Sequence, residues 1–268
     1  MKTIKRMCSE IKKYWGYTVY SAKTELKAEV ASSYLNWIWW VLEPLCLMLI
    51  YWFIFGIVFS NKQAYFPIFL FVGITLLNFF NSCVSSSVKC VKRNKGIISN
   101  VYIPKYILLL VQMLVNAFKM MISMAIVVFM MIIQRVPVSP LLAYVPLILL
   151  TLFVFSFAVS VHLMHFGVYI DDMAHIVRIV LRVMFYMTGI FFNIEERLSG
   201  PGLKGLAGTI LSQYNPTALI VISMRKVLLY KQSPHWLKLL GLLVVSVLVA
   251  IWGVKRIYKY ENSYAKTV

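Results

Sequence analysis

Arg178 and Arg182 stand four residues apart in an apolar stretch, so on a helix they share one face. A guanidinium fork matches phosphate oxygens, which makes the pair a candidate receiver of a phosphorylated head group. Arginines that anchor a helix end by snorkelling would show the same spacing. Close by lie His162, His165, Asp171, Asp172 and His175. Paired aspartates can hold magnesium and a diphosphate, yet no second acidic cluster accompanies them, and no third ligand joins His162 and His165. The cluster therefore reads as a polar helix terminus rather than a catalytic or metal site. No GxxxxGK followed by Ser or Thr occurs, so the chain has no phosphate-cradling loop of its own for ATP. Cys8, Cys46, Cys83 and Cys90 form no CxxC pair, which supports neither a disulfide framework nor a zinc site.

Two charges fall inside apolar runs. Glu43, next to Pro44, and Lys119 are expensive to place in a membrane, so each needs a partner or a polar passage. Lys119 and His162 are possible partners for Glu43, and a pathway-lining role is the alternative. Thr75, Asn78, Ser82 and Ser85 recur at helical spacing and suit interhelical hydrogen bonding. Trp37, Trp40, Pro44, Tyr51 and Phe55 fall near one stripe of an aromatic-rich run. Packing and interfacial anchoring account for such rings, and a passage for sugars would use them as well.

These side chains need elements to position them. The chain has 268 residues, 61% hydrophobic, with 27 Lys and Arg against 9 Asp and Glu, a formal charge of +18. A soluble basic nucleic-acid binder of this size could not bury so much apolar surface, and a disordered basic tail is excluded for the same reason. An all-α polytopic membrane protein remains, a single transmembrane domain over 1–268. Six apolar runs are long enough to span: Leu35–Ser60, Tyr65–Val88, Lys105–Ile133, Leu141–Tyr169, Ala174–Asn193 and Trp236–Val254. The first 30 or so residues lack a signal-peptide core, so the spans themselves are expected to insert the chain. Of the 27 cations, 18 fall on the side holding residues 1–34, the 89–105 connection, the Tyr169–Arg182 junction and the C-terminus. By the positive-inside rule that side is cytoplasmic, with both termini there.

Three segments depart from plain apolar helices. Within residues 1–34, Ile11, Tyr14, Trp15, Thr18, Val19, Ala22, Leu26 and Val30 recur at spacings of three and four, with lysines on the other faces. That pattern predicts a basic amphipathic helix lying at the cytoplasmic interface. Residues 89–104 mix Lys92, Arg93 and Lys95 with Ile97, Ile98, Val101 and Ile103 ahead of Pro104. A short cytoplasmic helix there needs lipid head groups or a docked protein over its apolar face. Residues 194–235 carry Glu195, Glu196, several glycines, Asn215-Pro216 and the basic pair Arg225-Lys226. They predict short re-entrant or interfacial helices at the outer mouth.

Five of these stretches, in order and register, resemble the permease subunit of ATP-binding-cassette polysaccharide exporters, the family that exports teichoic acids, O-antigens and capsular or related glycans. Ser33 through Pro44 looks like the family's S-x-L-G-x-x-W-x-x-x-x-P opening of its first span, and Tyr51–Phe59 its aromatic continuation. Asn94 through Tyr106 is similar to the cytoplasmic N-x-x-L-I-x-x-x-x-F-P-R/K-E segment. Asp171–Val177 resembles the R-D-x-x-H stretch before span five, and Asn215-Pro216 with Arg225 the N-P…R element. Asn36 stands where the family usually has Gly, Asp171 where it has Arg, Gly189 where Pro is common, and Arg182 where an uncharged residue is frequent.

The resemblance implies a bacterial plasma-membrane protein that is not itself an enzyme. Two copies would pair and bind two copies of a separate nucleotide-binding subunit, which holds ATP and Mg; no cofactor is expected in this chain. The cargo would be a lipid-linked glycan such as teichoic acid or the O-antigen of lipopolysaccharide, among membrane lipids. Arg93, Asn94, Ile97, Ile98, Asn100, Tyr102 and Pro104 would contact the motor. Trp37, Trp40, Tyr51, Phe55, Arg178, Arg182, Phe185 and Tyr186 would line the passage, and Glu195, Glu196, Asn215, Pro216 and Arg225 the outer gate. A membrane-embedded lipid or isoprenoid transferase using Asp171 and Asp172, or an efflux permease for small lipophilic molecules, are the competing readings.

Overall fold

The computed structural model describes residues 2–31, 36–60, 63–197, 200 and 203–267. Among them every regular element is helical. In chain order they are α1 (Lys2–Ala31), α2 (Trp39–Tyr51, continued by wider turns over Trp52–Val58), α3 (Phe66–Val88), α4 (Cys90–Arg93) and α5 (Lys95–Asn100). There follow α6 (Lys105–Ile133), α7 (Val145–Tyr169), α8 (Met173–Met187), α9 (Ile194–Arg197), α10 (Leu203–Thr209), α11 (Pro216–Leu228) and α12 (Trp236–Thr267). Leu35, with Ser33 and Tyr34 of the opening motif, and the side chain of Glu196 lie outside the described residues.

Five helical stretches are long and apolar enough to cross a membrane: Trp39–Val58, Phe66–Val88, Lys105–Ile133, Pro140–Tyr169 and Trp236–Glu261. The centre is α3, whose apolar window is 78% buried against 11% for Trp39–Val58. It packs against α2, α6, α7, α8 and α11, while α12 runs along α7. Close approach needs glycine at two crossings. A Cβ on Gly167 of α7 would sit 2.1 Å from the Val88 carbonyl oxygen, and one on Gly253 of α12 would sit 2.6 Å from Val161.

Ala174–Asn193 differs from expectation. The helix there, α8, has 15 residues, about 22 Å at 1.5 Å per residue, short of a hydrocarbon core of about 30 Å. Chain direction changes at Gly189, which adopts φ +68°, a conformation that disfavours other residues. Hydropathy alone cannot see this break, because Gly189 to Phe192 is as apolar as the helix before it.

The N-terminal helix also finds a partner that its sequence does not name. Ala22, with Tyr17 and Leu26, packs on Val111, Leu114 and Val115 of α6, so part of the apolar stripe is covered by protein. Glu10 meets Tyr258 of α12, which places the N-terminal helix and the last turns of the chain at one end of the bundle.

Candidate functional site

A shallow groove of about 360 Å³ is lined by Tyr51 of α2, Asn81 and Ser85 of α3, and Arg178, Leu181, Arg182, Phe185 and Tyr186 of α8. Period 3.6 on α8 does the positioning: Arg178, Leu181, Arg182 and Phe185 fall on one face, and only Leu181 of these is buried. Among the described residues neither arginine forms an ion pair. Asn81 Oδ1 is buried without a hydrogen-bond partner, an acceptor available to a donor in the groove.

One wall of the groove is aromatic. Tyr51 meets Phe191 edge-on at 4.9 Å and Phe185 at 6.2 Å, while Phe55 stacks on Phe191 at 4.3 Å. Phe185 also meets Tyr186 at 5.5 Å. Two unpaired guanidiniums, an open amide acceptor and flat rings can together hold an anionic head group whose neighbouring groups carry C–H faces and hydroxyls.

At the far end of α8 the 194–235 segment closes on the chain. Arg225 is 3% exposed, and its guanidinium donates to the carbonyls of Phe69 (3.1 Å), Gly189 (2.8 Å) and Ile190 (3.0 Å). Its charge also lies 3.5 Å over the Phe69 ring. Asn215 caps α11 by accepting from the N–H groups of Thr217 and Ala218, and its amide donates to the Met187 carbonyl at 3.3 Å. Pro216 occupies the first turn of α11, where its missing N–H costs nothing. Glu195 accepts from Lys226 and from His235, each at 3.0 Å. Burial pushes the Glu195 carboxyl up, but the bonds to Lys226 and His235 outweigh it and hold the group below its ordinary value.

At the opposite end, the 89–104 segment is two short helices kinked at Asn94, whose amide donates to the Cys90 carbonyl. Ile97, Asn100, Val101 and Tyr102 are exposed, Ile98 is half-buried and Pro104 is buried. Polar ties connect the segment to the bundle. Arg93 pairs with Glu25 of α1 at 3.3 Å, Lys92 with Asp171 at 2.5 Å, and the Tyr102 hydroxyl donates to Glu261 of α12 at 3.1 Å. Beside them Glu10 accepts from Arg6, Tyr106 and Tyr258. Burial alone raises the Glu10 carboxyl, yet these three donors hold it below the usual range. Lys92 likewise lowers Asp171.

The remaining sequence candidates separate. Lys119 pairs with Glu29 of α1 at 2.5 Å, not with Glu43. Glu43 and Lys119 instead share a cavity with Trp40, away from Tyr51 and Phe55. Trp37 is exposed. His162 binds the Val249 carbonyl and His165 the Tyr264 hydroxyl, so both serve the α7–α12 contact. Among the described residues no three metal-ligating side chains converge.

Sequence reasoning missed Asn81, and it treated the polar stripe on span two as one set. The structure divides it: Ser85 joins Asn81 at the groove, and Thr75, Asn78 and Ser82 face the cavity that holds Glu43. Asn81 lies four residues before Ser85, a signal that was available in the spacing. Phe191 offered no such signal, because it reaches Phe55 only through the turn after α8.

No family model matches the chain. It is similar to the O-antigen export system permease protein RfbA of Myxococcus xanthus, 23% identical over 255 residues, which covers 95% of each chain. Two Klebsiella pneumoniae proteins of the same name are 26% identical over 205 residues (75% of each chain) and 23% identical over 206 residues (75% of this chain, 76% of the relative).

Proposed function

We propose that this chain is the membrane permease subunit of an ATP-binding-cassette exporter that moves a lipid-linked cell-surface glycan, O-antigen in kind, outward across the bacterial plasma membrane. The similarity to O-antigen export permeases along nearly the whole chain supports the class of transport. The observation that carries the mechanism is the single groove in which Arg178 and Arg182 stand beside Tyr51, Phe185 and Tyr186. A diphosphate linking lipid to glycan presents oxygens to two guanidiniums, and the first sugars meet the rings and the Asn81 carbonyl. Asp171 pairs with Lys92 at the surface, and among the described residues no third metal-ligating side chain stands with Asp171 and Asp172, as a transferase reading would need.

In this reading both termini are cytoplasmic, and α8 is a short fifth crossing completed by the outer turns. Helix α11 then re-enters from outside, and Arg225 satisfies the carbonyls that the short crossing exposes. Two copies of the chain pair, and two copies of a separate nucleotide-binding subunit, which carry ATP and Mg, dock on the exposed Ile97–Tyr102 surface. Motion of that surface is passed to α8 through Lys92 and Asp171, seven residues before Arg178. The pair thus joins the motor to the groove, consistent with discrete interface shifts as the means of switching.

The test is to co-express the chain with its nucleotide-binding subunit in a strain lacking its own copy and score glycan at the cell surface. Wild type restores it. Arg178→Ala with Arg182→Ala leaves the complex assembled but the glycan retained inside. Surface glycan at the wild-type level in that double variant contradicts the reading.

A further inference from the structure

A second polar space lies on another side of α3. It is a cavity of about 280 Å³ between α2, α3 and α6, lined among others by Trp40, Glu43, Thr75, Asn78, Asn116 and Lys119. Its electrostatics are opposite to those of the arginine groove. Lys119 is already neutralised by Glu29, while among the described residues no cation lies within ion-pair distance of Glu43. Glu43 thus stands exposed at the cavity without an ion-pair partner, on a helix apolar enough to cross a membrane, where a charge is costly unless something positive meets it. Thr75, only 3% exposed, aims a hydroxyl into the same space with no hydrogen-bond partner. Glu43 lies about 6 Å along α2 from Trp39. In the orientation proposed above, that is the level of the inner-leaflet head groups.

We infer that this cavity binds the head group of a zwitterionic inner-leaflet phospholipid, with its ammonium on Glu43 and its phosphate toward Lys119 and Asn116. Trp40 fits such a ligand, because an indole beside a carboxylate is a favourable seat for an ammonium ion. Lys119 sits 5.6 Å from the Trp40 ring centre, close enough to share a phosphate while remaining paired to Glu29. The amide and hydroxyl groups of Asn78 and Thr75 then satisfy glycerol ester oxygens. The uncompensated negative charge argues against the exporter's own diphosphate cargo at this place, so the site is separate from the groove and its occupancy is independent of whether that groove carries glycan.

The exporter complex, reconstituted in vesicles of mixed phosphatidylethanolamine and phosphatidylglycerol and then extracted, supplies the test by mass spectrometry of retained lipid. Wild type is expected to retain phosphatidylethanolamine selectively. Glu43→Gln should lower that retention about tenfold, a loss of about 1.4 kcal/mol, and leave phosphatidylglycerol unchanged, while Glu43→Asp keeps part of it. Equal thermal unfolding of wild type and Glu43→Gln in phosphatidylglycerol alone establishes that the variant is folded. Undiminished phosphatidylethanolamine on Glu43→Gln overturns the inference. So does full displacement of the lipid by soluble phosphoethanolamine, which would place the ligand's source outside the bilayer.

Discussion

The Arg225 guanidinium donates to the Gly189 carbonyl at 2.8 Å, joining a helix that returns from the outer segment to the turn that ends α8. The contact satisfies the carbonyls of Gly189 and Ile190, which lie in the turn after α8 and have no helical ladder of their own. Arg225→Met removes the donor to the buried turn carbonyls of Gly189 and Ile190, at about 1–3 kcal/mol for each one left unpaired. The purified variant should melt earlier and be cleaved by protease between α8 and α11. Wild-type melting and protection would show that the contact is incidental.

Gly73 of α3 makes room for that arginine. A Cβ built on it would lie 2.5 Å from the Arg225 terminal nitrogen. Gly73→Ala should therefore destabilise the chain by about 1–3 kcal/mol. In an Arg225→Met background the same change should cost much less, since the two act on one contact. Thermal melts of the four proteins measure the coupling, and strict additivity would rule it out.

Lys92 and Asp171 are exposed, and a solvent-screened pair of this kind adds little stability. Any strong effect of breaking it must come through coupling. Lys92→Gln is expected to leave melting and motor ATP hydrolysis near wild type while reducing export severalfold. The exchanged pair, Lys92→Asp with Asp171→Lys, should recover export. Failure of Lys92→Gln to change export removes the proposed link from motor to α8.

Glu195 gives the outer segment an acid-side limit. Its carboxyl is held below the ordinary 4.5, so its ties to Lys226 and His235 contribute fully above that value. The contribution is lost as pH falls through the depressed folded-state value. Protease resistance of the outer segment should stay level from neutrality to about pH 5 and decline below it. Glu195→Gln should show lower resistance at neutrality and no acid-side decline attributable to this site. An unchanged acid profile would mean that the latch does not hold the segment.

How far these relationships could be read from sequence depends on their distance along the chain. The long helices were legible because a 20-residue apolar run states its own preference, and Lys105–Ile133 came out with the same limits in the structure. Arg178, Arg182 and Phe185 share a face by local periodicity, so their grouping was legible too. Pairings across the bundle were not. Glu43 and Lys119 looked like mutual partners because the sequence offers no way to see Glu29 brought alongside α6. The shortness of α8 was hidden for a different reason: its end is set by Gly189 and by Arg225, 36 residues later, while hydropathy continues unbroken.

The most direct measurement of the central claim is photocrosslinking of a diphosphate-linked lipid oligosaccharide, carrying the reactive group beside the diphosphate, to the assembled exporter in membranes. Peptides from α8 around Arg178–Tyr186 and from α3 around Asn81–Ser85 should be labelled, and Arg178→Ala with Arg182→Ala should abolish that labelling. Labelling confined to other surfaces, or labelling of these peptides undiminished in the double variant, would contradict the account.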